Sequence, residues 1–154
     1  MNVQRFLKVC EDIEQTVSKI YRHWQEVFVD TPALSAMWAR MADDELDHVR
    51  QIQLAKRVAY ENVFEGNNVS IDDLEKALAK ARRLLVDVKE KEISAEKALL
   101  AAIKMEELFS QAHLMNATNV VDESMATMFK SLAREDEMHV ATLRNYYDSV
   151  YGSE

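Results

Sequence analysis

"MADDELDHV" occupies residues 41–49 and "LAREDEMHV" residues 132–140. Aligned, they pair Met41 with Leu132, Ala42 with Ala133, Glu45 with Asp136 and His48 with His139. Each places an acid three residues before a histidine, a spacing that puts both side chains on one face of an α-helix. The surrounding residues show which face. Leu34, Trp38 and Met41 precede the first pair and Ile52 and Ala55 follow it, in alternating steps of four and three. Met125, Phe129, Leu132, Leu143, Tyr146 and Val150 frame the second in the same rhythm. Both acid–histidine pairs therefore lie inside apolar stripes, where a carboxylate needs a compensating partner.

Working outward, each pair is preceded by a helix with a lone acid on its own stripe. The first stripe is Cys10, Glu14, Val17, Tyr21, Trp24, Phe28; the later one is Ala95, Leu99, Ala102, Glu106, Phe109, His113. Glu14 stands seven residues before Tyr21 and 34 before His48; Glu106 stands seven before His113 and 33 before His139. The chain thus reads as two copies of a helix pair, each offering one lone carboxylate and one acid-x-x-His. A single acid-x-x-His is weak evidence in a chain with 27 acids and four histidines, since it arises readily on a solvated face. Four acids on four apolar stripes, repeated in order, are far more specific.

The remaining pattern predicts an all-α protein. Helical periodicity covers residues 3–29. "VDTPALSA" (29–36) breaks it, with Thr31 as N-cap and Pro32 at the first helical position. A second helix over 32–64 ends at "EGNNVS" (65–70), where Gly66 and two asparagines stop it. Ser70 caps a third helix running to about 90, with Leu74, Leu84, Leu85 and Val88 as its apolar side. Ser94 caps a fourth over about 95–117, "NATNVVDES" (116–124) interrupts, and a fifth covers about 122–150. Short links make the first two and the last two antiparallel neighbours. The expected architecture is one domain over 1–154, a four-helix bundle whose long crossover, about 65–94, carries an extra helix between the second and third bundle helices.

Composition bounds the function. Two glycines and one proline fit a helical chain, and 154 residues suffice for one real core. A formal net charge of −8 argues against a nucleic-acid partner. No run of about 18 apolar residues suggests a membrane span. The amino-terminal "MNVQRFLKVCEDIEQ" carries acids too early for a secretory signal, so the expected location is the cytoplasm. One cysteine excludes a disulfide framework and a four-cysteine metal site. Four carboxylates and two imidazoles in one core would be very unfavourable without cations, and two divalent ions would balance the charge. Oxygen and imidazole-nitrogen donors suit iron or manganese, and can suit zinc.

At these residues the sequence resembles the ferritin-like di-iron carboxylate proteins, and most of all the rubrerythrins and their single-domain relatives. "IEQTVSKIY" (13–21) and "AIKMEELFSQAH" (102–113) are similar to the Glu-x6-Tyr signatures on that family's first and third helices. The resemblance spans about residues 5–148. It implies Glu14, Glu45, His48, Glu106, Asp136 and His139 as ligands of two iron ions, with Glu45 and Glu106 as candidates to bridge them. It also implies peroxide or oxygen reduction, with the ferrous pair supplying two electrons.

Three departures bear on that reading. Asp136 stands where the family usually has Glu, with Glu135 as a lower-ranked substitute off the stripe. Phe109 replaces the additional Glu that peroxidase rubrerythrins carry one turn after the third-helix ligand. The rubredoxin domain is missing, so electrons are expected from a separate, rubredoxin-like protein. A homodimer is the expected assembly.

Other residues are weighed against plainer roles. Tyr21 and His113 occupy matching places, either hydrogen-bonding ligand carboxylates from behind or filling core space. Cys10 is expected to be a small buried hydrophobe, and His23 a surface residue. The eight methionines are expected to fill the core rather than to ligate haem. Two other functions compete: a ferroxidase that stores iron, and a metal-binding bundle without turnover. The 15 residues after His139 leave little room for the extra C-terminal helix of large ferritin cages, which weighs against storage.

Overall fold

The computed structural model describes residues 2–60 and 71–152, and every element longer than a single residue in them is an α-helix. There are five: α1 (Val3–Val27), α2 (Pro32–Val58), α3 (Ile71–Glu90), α4 (Ala95–Asn119) and α5 (Glu123–Tyr151). The chain divides into two compact units, Met1–Glu92 and Ile93–Glu154. No helix among the described residues is long and apolar enough to cross a membrane.

In the first unit α1 and α2 form an antiparallel hairpin, turned by residues 28–31. Cross-helix contacts run in opposite order along the two: Gln4 donates to the Lys56 carbonyl, Ser18 to that of Ala42, and Ser35 to that of Gln25. The hairpin buries Phe6, Leu7, Ile20 and Trp24 of α1 against Leu34, Met37, Trp38 and Ile52 of α2. α3 lies parallel to α1. Arg5 pairs with Glu75 near their starts, Arg82 lies 3.8 Å from Asp12, and His23 Nε2 lies 3.0 Å from the Val88 carbonyl oxygen near their ends. His23 is therefore half-buried between two helices rather than on the surface. α3 is fully buried at Leu78, Ala81 and Val88, while Leu74, Leu84 and Leu85 flank them half-buried. Val88 is buried as expected, and Leu78 and Ala81, outside the expected set, are buried with it.

The second unit is the hairpin α4–α5, turned by residues 120–122. Tyr147 donates to Glu96, Arg144 pairs with Glu107 and Ser110 Oγ lies 3.3 Å from the Ala133 carbonyl oxygen, again in antiparallel order. Leu99, Ala102, Phe129, Leu132 and Leu143 are buried. The α5 stripe fades beyond Leu143: Tyr146 is half-buried and Val150 is 53% exposed.

Helix ends follow the caps in part. Ser94 accepts from Lys97 N at 3.2 Å and Asp122 from Met125 N at 2.8 Å. Thr31 occupies the N-cap of α2 but makes no side-chain cap bond, leaving Pro32 to shape the turn. α2 ends at Val58, with Ala59 extended, short of the expected position 64. The stop at Gly66 and the cap at Ser70 lie outside the described residues.

Candidate metal centre

In the first unit α1 supplies Glu14 and α2 supplies Glu45 and His48. All three are at most 1% exposed, and each offers a ligand atom within 4.8 Å of the others. His48 Nδ1 lies 3.4 Å from Glu14 Oε2 and 3.3 Å from Glu45 Oε2. The helical spacing explains the meeting. Glu45 and His48 share a face of α2 with Trp38, Met41 and Ile52, and antiparallel pairing sets Glu14 opposite them.

In the second unit α4 supplies Glu106 and α5 supplies Asp136 and His139. They are buried, and each again offers a ligand atom within 4.8 Å of the others. His139 Nδ1 lies 3.5 Å from Glu106 Oε1. The trio takes Asp136, whereas Glu135, one residue earlier, is half-buried outside it. Neighbouring residues of a helix point about 100° apart, enough that only one of two consecutive acids joins a given face.

Each unit thus holds two carboxylates and an imidazole, buried and converging, in the same sequence order. Oxygen and imidazole donors without thiolate suit a hard or borderline divalent cation such as iron, manganese or zinc. Cys10 is buried one turn before Glu14, and its thiol is pushed well up by burial and then by the nearby Glu14 charge. It sits there protonated, as a small apolar group.

Tyr21 and His113, in matching places, take different surroundings. Tyr21 is fully buried and stacks on Trp38, with ring centroids 5.4 Å apart, and Trp24 lies 4.9 Å from Trp38. Tyr21 and Trp38 sit two helical turns from Glu14 and Glu45, about 10 Å along the axes, with Trp24 a turn further, and the three rings wall that end of the hairpin with apolar surface. The buried indole N–H groups of Trp24 and Trp38 meet no acceptor among the described residues. His113 is 6% exposed, and its Nδ1 lies 2.7 Å from Asp136 Oδ2. Phe109 is half-buried, one turn after Glu106 on α4.

One matched pair escapes a reading based on acids and histidines. Ser18 Oγ donates to the Ala42 carbonyl at 2.8 Å, and Ser110 Oγ to that of Ala133 at 3.3 Å. Each serine lies four residues after the lone acid of its repeat, and each alanine three before the second acid. Both hydrogen bonds tie one helix to the other a turn from the ligands and set the register that brings the acids together. The signal was present as a serine repeated at the same offset.

Comparisons of the chain with protein-family models, with curated proteins and with solved structures gave no match.

Proposed function

We propose that this chain is a ferritin-like, rubrerythrin-type oxidoreductase that reduces peroxide or oxygen at a pair of iron ions. The observation that carries the reading is the duplicated trio: Glu14, Glu45 and His48 in one helix hairpin, and Glu106, Asp136 and His139 in the other, both buried and both convergent. Two carboxylates enclosed beside one imidazole are costly as bare charges, and a divalent cation in each trio offsets that cost. The same order of acid, acid and histidine in both hairpins supports one ion in each.

The chain's own residues supply geometry and shelter. Glu14, Glu45 and His48 would hold one ion, and Glu106, Asp136 and His139 the other. Ser18 and Ser110 keep each hairpin in register, and the Tyr21–Trp24–Trp38 cluster keeps water from one end. When bound, two ferrous ions would supply the two electrons that, with two protons, convert hydrogen peroxide to two waters. An external electron donor, such as a rubredoxin-like protein, would return those electrons.

The test is metal content after anaerobic Fe(II) loading and desalting, followed by peroxide turnover. Two irons retained per chain, with turnover, support the reading. Replacing His48 with Ala should reduce retained iron and abolish turnover, and full turnover in that variant would sink the mechanism.

A further inference from the structure

Each trio holds two carboxylates and an imidazole, and in the α4–α5 hairpin a further imidazole, that of His113, lies against one of the carboxylates. Its Nδ1 lies 2.7 Å from Asp136 Oδ2. An ionised carboxylate can only accept, so the ring nitrogen donates. The imidazole is itself held: it is 6% exposed and lies against Phe129, with ring centroids 6.2 Å apart. Asp136 has a shorter arm than the glutamates and comes from the opposite helix, so the contact ties α4 to α5 at the ligand itself. The matching residue of the first hairpin, Tyr21, presents its ring to Trp24 and Trp38.

We propose that His113 is a positioning residue for the metal of the α4–α5 trio: it holds one oxygen of Asp136 and thereby fixes the direction in which the other faces the cation. This rests on the metal-binding reading above. The hydrogen bond replaces reach with orientation. A carboxylate one methylene shorter has less freedom to find a cation, and bracing from behind limits it to the productive rotamer. Outer partners of this kind are worth about 10–100-fold in metal affinity.

The experiment is an anaerobic Co(II) titration of the full chain, read by visible ligand-field absorption and by calorimetry, with folding checked by circular dichroism. Two variants separate the hydrogen bond from packing. His113→Phe keeps a ring beside Phe129 and removes the donor; His113→Asn removes the ring and keeps an N–H near the position of Nδ1. The wild type should bind two Co(II). The Phe variant should bind one as before and the other about 10–100-fold more weakly, while the Asn variant should recover most of that loss. His113→Ala replaces the Phe variant if the larger ring does not fold. Wild-type affinity in the Phe variant, or an equal loss in Phe and Asn, would overturn the positioning role while leaving the metal sites standing. Failure of the wild type to bind Co(II) at all would overturn both.

Discussion

Glu11 shows how a buried carboxylate away from the trios is satisfied. It is 4% exposed on α1, one turn before Glu14. Burial alone would raise its pKa; hydrogen bonds from Lys56 and Gln53, with the charges of Lys56 and Lys8, outweigh that and hold it below the ordinary carboxylate value. Gln53 Nε2 donates at 2.7 Å and Lys56 Nζ at 2.9 Å. A carboxyl with a lower pKa folded than unfolded stabilises fully above its unfolded pKa, and that contribution drains away as pH falls through the folded one. Glu11→Gln should therefore flatten the acid limb of stability below about pH 4.5, measured by urea unfolding across that range. Lys56→Met leaves the carboxylate without its cation. The expected loss is about 1–3 kcal/mol, short of the about 3–5 kcal/mol of a sealed pair, because the Lys56 side chain is 27% exposed.

At the scale of the helix, the caps separate a sequence signal from its physical effect. Asp122 accepts from the Met125 amide, so Asp122→Ala should cost about 1 kcal/mol in denaturant unfolding, whereas Thr31→Ala, which removes no cap bond, should cost only a few tenths. Equal losses would show that the threonine cap forms in solution. Apolar periodicity made all five helices legible, because a 3.6-residue repeat over some 20 residues is hard to produce by accident. Depth was less legible. Leu78 and Ala81 carry the α3 contact while Leu84 and Leu85 stay half-buried, and Val150 continues the α5 stripe out into solvent. Periodicity names a face, but only the partner helix decides how far along that face burial extends. His23 was missed for the same reason: its neighbour across the gap, the Val88 carbonyl, is 65 residues away in sequence. The convergence of the trio residues was readable because their types are costly in an apolar stripe, whereas the serines that set the register look ordinary in any helix.

For the molecule as a whole, the trios set stability against function. Glu14 and Glu45 lie beside one buried imidazole, and Glu106 and Asp136 beside another. On the proposed role, enclosing these acids costs stability that a cation would return, a trade common at functional sites. Glu45→Gln removes one enclosed charge at nearly constant volume, so the metal-free variant should melt at or above the wild-type temperature. Cation changes the order. A ligand that binds only the folded state stabilises it by about 2.7 kcal/mol at a hundredfold excess over its dissociation constant. Wild type should gain at least that much with Mn(II) or Co(II) present, and Glu45→Gln distinctly less, since a neutral amide is a poor ligand for a hard cation. Thermal unfolding of both proteins, with and without metal, reads the two effects together. A variant that melts lower without metal would mean that Glu45 is already well compensated by its neighbours; a variant that gains as much from metal as the wild type would remove Glu45 from the ligand set.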